Sequence, residues 1–131
     1  MHVGQDDLAI SEALRLAGRL ALVGKSTHSL AQAKAAQAEG ADYIGFGPLF
    51  ATPTKPDYVP IGLAGIGQVH REVNLPIFGI GGITLSNLPE VIASGVRKVV
   101  IVSGLLQSKD IAVTARAAKQ LLSLDTRHST I

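Results

Sequence analysis

Short apolar segments rich in valine and isoleucine alternate along the chain with Ala/Leu-rich stretches of helical period. Few architectures accept that pattern, because strands separated by whole helices pair in parallel rather than as hairpins. The strand-like segments are residues 1–4, 20–24, 43–47, 76–80 and 98–102. The helical stretches run over 8–17, closed by Gly18, and over about 30–39, opened by Ser29 as N-cap. Others follow at 63–73, from Thr84 or Ser86 to Ser94, and at 107–123. The reading is an α/β fold of about five parallel β/α units over 1–124, with 125–131 as a frayed polar tail. Polar or glycine-rich loops fall at each strand C-terminus, the end at which such folds build their sites. Five units do not close a regular eight-stranded barrel.

The chain has 131 residues, 47% of them hydrophobic and 17% charged, which fits one globular domain with a real core. Its 12 basic and 10 acidic residues are scattered, with few aromatics to interleave, so nucleic-acid binding has little support. There is no cysteine, which excludes disulfides and thiolate chemistry and suits a reducing cytoplasm. No apolar run is long enough to span a membrane, and no signal peptide is recognisable.

Donors for anions concentrate after the strands. Thr52, Thr54 and Lys55 place two hydroxyls and an ammonium within four residues, and Pro53 and Pro56 fix the backbone around them. Gly81-Gly82 leaves N–H groups bare, and Val102-Ser103-Gly104 opens a short helix with further free donors. Each feature alone reads as well as a tight turn or a solvated side chain; at consecutive strand ends they favour phosphate. Asp7 follows the first strand, where one carboxylate suits Mg²⁺ shared with a substrate phosphate, while Asp6 and Asp7 equally suit a helix N-terminus. Ser26 and His28 belong to another strand end; His28 is either a general acid/base or a loop hydrogen-bonder. His2, His70 and His128 lack zinc-like spacing.

At these residues the chain resembles the thiamine phosphate synthase family. HVGQDD at 2–7, STHS at 26–29, GADYIGFGPLFATPTKPD at 40–57, IGGIT at 80–84 and VS at 102–103 stand in that family's order and spacing. The resemblance implies a (β/α)8 TIM barrel. It implies an enzyme that joins an aminopyrimidine methyl diphosphate to a thiazole phosphate with Mg²⁺, releasing pyrophosphate through a dissociative step. By motif, Asp7 is then a Mg²⁺ ligand. Ser26 and Lys55 hold the pyrimidine diphosphate and serve catalysis, Lys55 offsetting charge on the leaving group. Thr52, Thr54, Gly82, Val102 and Ser103 bind the thiazole phosphate.

The departures are equally specific. Met1 falls at the start of the family's fourth strand, so the first three strands lie outside this chain, with a Gln-x-Arg-x-Lys motif and an Asn-Asp pair. Lys25 replaces a usual apolar residue, and Arg97-Lys98 a usual Asp-Gly. The expectation is a partial barrel that binds phosphate weakly, catalyses little alone and self-associates or takes a completing half. A truncated gene or incomplete sequence explains this more economically than a purpose-built half enzyme. The alternatives are a thiazole tautomerase-like enzyme, which intact TPTK and GQDD disfavour, and a non-catalytic phosphate-binding module.

Overall fold

The computed structural model describes residues 1–18, 20–52, 57 and 59–128, the last four by backbone alone. Five strands form one all-parallel sheet in sequential order: β1 (His2–Val3), β2 (Gly24–Thr27), β3 (Tyr43–Phe46), β4 (Ile77–Ile80) and β5 (Lys98–Val100). Helices α1 (Ile10–Ala17), α2 (Leu30–Ala38), α3 (Leu63–Glu72) and α4 (Leu88–Ala93) make the crossovers. The short α5 (Ser103–Leu106) and long α6 (Ile111–His128) complete the chain. Sequential parallel order with every crossover a helix is a stretch of barrel wall.

The period of two divides each strand between a helix-covered face and a concave face. Ile44, Phe46 and Ile77 point outward and are buried under the helices with Ile66, Val69, Leu88 and Val91. Gly24, Ser26, Tyr43, Gly45, Phe78, Ile80, Lys98 and Val100 share the other face, as the register dictates. Its first layer is fitted closely: a Cβ at Gly24 would fall 2.1 Å from the Tyr43 ring. The hydroxyl-capped start of α2 is as expected, with Ser29 Oγ accepting from the Gln32 N–H at 3.1 Å.

Three elements differ most from the sequence reading. The second strand is Gly24–Thr27, in what reads as a loop, and not residues 20–24. Leu20 is fully exposed and Leu22 64% exposed, so these leucines have no partner strand to bury them, whereas Val23 enters the core. The polar strand is held by its neighbours instead. Buried Thr27 donates its hydroxyl to the Gly45 carbonyl at 2.8 Å, and Lys25, its stem covered by the helix layer, reaches Glu39 at 3.4 Å. The fourth helix starts at Leu88, because residues 84–87 first form a turn in which Asn87 Oδ1 accepts from the Thr84 N–H. The final helix begins at Ile111 and continues to His128, through much of the stretch expected to fray.

Candidate functional site

The C-terminal ends of the strands carry two adjoining cavities. The larger, about 520 Å³, is bordered by Asp7, Ser26, His28, Gly47 and Gly81. That volume suits a small-molecule substrate. The smaller, about 90 Å³, is lined by Thr52, Gly81, Gly82, Val102 and Ser103, room for one compact group.

The smaller cavity is built by backbone. Beyond β3 and β4 the chain keeps pairing, Leu49 N–H to Ile80 O at 3.0 Å and Phe50 N–H to Gly81 O at 3.0 Å, which carries Thr52 beside Gly82. The base of that loop is tied by Ile61 N–H to Pro48 O at 2.7 Å, and the Gly47–Pro48 peptide is cis. Gly81 and Gly82 have φ of 102° and 67°, and a Cβ at Gly82 would come 2.6 Å from the Ala51 carbonyl oxygen. Only glycine meets both conditions. Val102 is the N-cap of α5 and Ser103 its first residue, so first-turn N–H groups without intrahelical acceptors border this space. The turn that calls for these glycines also sets them beside a space of the size the anion reading requires.

The structure thus brings together Thr52, Gly82, Val102 and Ser103 from the expected set, and places Asp7 and Ser26 at the neighbouring cavity. Thr54 and Lys55 lie outside the described residues. Ser26 sits within β2 on the concave face, not in a loop after it. Asp7 Oδ2 accepts the Gly4 N–H at 2.6 Å, which closes the turn that aims the carboxylate at the cavity border. His28 Nδ1–H donates to the Gly47 carbonyl at 2.6 Å, and its own N–H is held by Gln32 Oε1.

Several residues at the site carry no role assigned from the sequence, although His2 and Gln5 lie within HVGQDD. Gln5 donates from Nε2 to the Ser26 carbonyl at 2.8 Å, and His2 Nε2 lies 2.8 Å from Ser26 Oγ. Asn87 donates to the Gly82 carbonyl at 2.9 Å while accepting from Thr84, which fixes the glycine loop. The available signals were period two in His2-Val3-Gly4 and a Thr-x-x-Asn spacing at 84–87.

Among the described residues no group of three His, Cys, Asp or Glu side chains is placed to hold a metal ion. Mg²⁺, however, takes one or two carboxylates and fills its other positions with water and substrate phosphate oxygens. A single Asp7 carboxylate at the rim of the larger, substrate-sized cavity fits that partial role.

Parallel strands in sequential order, helices on one side and two adjoining cavities at the strand C-termini define a stretch of β/α-barrel wall. A family model described as thiamine monophosphate synthase matches residues 1–105, and the chain belongs to that family. It is 47% identical over 126 residues to thiamine-phosphate synthase of Synechococcus sp. (strain WH7803), covering 96% of this chain and 35% of that protein. Identity to the thiamine-phosphate synthase of Chloroflexus aurantiacus is 42% over 125 residues, 95% of this chain and 57% of the relative. The solved thiamine phosphate pyrophosphorylase from Pyrococcus furiosus superposes with a TM-score of 0.86 at 31% identity, over 95% of this chain and 59% of that one. A 3-hexulose-6-phosphate synthase shares the fold at a TM-score of 0.70 and 17% identity. The chain therefore spans between about a third and three-fifths of these relatives' length.

Proposed function

We infer that this chain carries the thiazole-phosphate side of a thiamine phosphate synthase, the enzyme that couples 4-amino-2-methyl-5-pyrimidinylmethyl diphosphate to 4-methyl-5-(2-phosphoethyl)thiazole. The single observation that carries this reading is the convergence of Thr52, Gly82, Val102 and Ser103 on one small cavity beside a substrate-sized one. In this reading the small cavity takes the thiazole phosphate, whose oxygens meet backbone N–H groups and the Thr52 hydroxyl. The aminopyrimidine diphosphate occupies the larger space, with Ser26 against it.

Asp7 is the residue that would hold Mg²⁺, which, when bound, neutralises charge on the diphosphate. Asp7 needs no rearrangement for this, since its Gly4 contact uses one carboxylate oxygen. By family motif Thr54 joins the thiazole-phosphate set, and Lys55 offsets the charge of departing pyrophosphate. The open concave face, with Tyr43, Phe78, Ile80 and Val100 on it, supports a second inference: the chain self-associates or pairs with further β/α units.

Calorimetric titration with the thiazole phosphate tests the reading. Saturable binding is expected, weakened about tenfold or more by Ser103→Pro, which removes one N–H at a position where helices accept proline. Circular dichroism of the variant separates this from misfolding. Binding that ignores the substitution in a folded variant contradicts the reading.

A further inference from the structure

Ser26 is gripped twice from β1 and the turn after it. Gln5 Nε2–H donates to its carbonyl at 2.8 Å, and His2 Nε2 stands 2.8 Å from its Oγ. His2 is itself fixed on its other side: Nδ1 lies 3.2 Å from the Tyr43 hydroxyl, and the two rings stack with centroids 5.6 Å apart. Tyr43 in turn meets Phe78 edge-on at 5.6 Å. The register puts His2, Gly24 and Tyr43 in one layer across three strands, with Ser26 one layer above. Gly24 leaves the space that the Tyr43 ring occupies.

A neutral imidazole has one donor and one acceptor nitrogen, and the partner on one side decides the tautomer on the other. Two arrangements satisfy the distances. In one, Tyr43 O–H donates to Nδ1 and Nε2–H donates to Ser26 Oγ, so the serine keeps its own proton for the cavity. In the other every donation reverses, and Ser26 presents only lone pairs. A phenol is far more acidic than an aliphatic alcohol, hence the better donor and poorer acceptor, which favours the first. Burial, then the N-terminal ammonium, holds the His2 pKa below its ordinary 6.5, with Asp7 opposing, which keeps the ring neutral at neutral pH.

We propose that His2 and Gln5 are positioning residues for Ser26, and that Tyr43, through His2, sets the Ser26 hydroxyl to donate its proton into the larger cavity, toward an anionic oxygen of the bound diphosphate. The proposal rests on the reading of Ser26 as a diphosphate contact. Gln5 fixes the serine backbone and His2 occupies an Oγ lone pair, which leaves the Ser26 O–H for the space that Ser26 lines, the cavity beside Asp7 at the strand ends and the concave face below it.

Nitrogen-15 NMR of the histidine rings at neutral pH reads the tautomer without any ligand. The expected spectrum has His2 protonated on Nε2, with Tyr43→Phe loosening that preference and Ser26→Ala shifting the Nε2 signal. An Nδ1-protonated ring in the wild-type chain overturns the proposal. Calorimetry with the aminopyrimidine methyl diphosphate supplies the second arm. Ser26→Ala and His2→Leu each are expected to weaken binding about tenfold, and the double variant no further, as for residues acting through one another. His2→Gln, whose amide nitrogen stands near the Nε2 position, is expected to restore most of the affinity, and His2→Asn little. Equal rescue by both, or simple additivity, overturns the proposal. An unaffected Ser26→Ala overturns instead the reading of Ser26 beneath it, whatever tautomer the spectrum gives.

Discussion

Asn87 supports the small cavity from outside its lining. Its side chain spans the Gly82 carbonyl and the Thr84 N–H, two contacts at 2.9 and 2.8 Å, so the peptides on either side of Ile83 cannot turn freely. Asn87→Ala is expected to cost about 1–3 kcal/mol of stability for the two lost hydrogen bonds and to weaken thiazole-phosphate binding. Chemical denaturation with calorimetry on the same protein checks both, and a variant of wild-type stability and affinity contradicts the role. Such residues are poorly legible in sequence because their meaning lies in which carbonyl they reach. Gly81-Gly82 was legible because glycine accepts the positive φ and close approach such a turn needs, and Ser103 because it follows directly on a strand-like segment. Gln5 and His2 were not, because both act on Ser26 more than twenty positions away.

At the scale of elements, apolar alternation found β3, β4 and β5 and missed β2. Tyr43-Ile44-Gly45-Phe46 announces itself, whereas Gly24-Lys25-Ser26-Thr27 is a strand only because β1 and β3 pair with it on both sides. The preceding leucines look more strand-like but have nothing to pack on. Packing of α3 also sets a pH dependence. His70 has its Nε2 buried without a partner among the described residues, and burial, then Arg97 and Lys98, hold its pKa below 6.5. The unfolded chain therefore takes up a proton that the folded chain resists. Stability is full above about pH 6.5 and falls as acid is added below it. His2, shifted in the same direction, adds to the loss. Thermal unfolding across this range is expected to show Tm falling on acidification, with His70→Gln flattening part of the slope; a Tm that rises on acidification contradicts the assignment.

The whole molecule is a curved sheet with helices on one side and a cavity of about 820 Å³ along the other, bordered by Leu22, Tyr43, Phe78, Ile80 and Val100. Sedimentation is expected to show mass rising with protein concentration, and Phe78→Glu to suppress the rise. A monomer at millimolar concentration contradicts that expectation. The architecture itself was legible from the strand and helix order, because parallel pairing leaves few alternatives. The TPTK segment supplied much of the family resemblance, yet Thr54 and Lys55 lie outside the described residues, so their roles rest on motif alone.

The central claim is that one phosphate-sized space, made by Thr52, Gly82, Val102 and Ser103, recognises the thiazole phosphate. Amide chemical-shift mapping of the chain titrated with that ligand tests it most directly. The largest saturable shifts are expected at Gly82, Val102, Ser103 and Gly104. Saturable shifts that spare those amides and cluster elsewhere, or no shifts at millimolar ligand, contradict it.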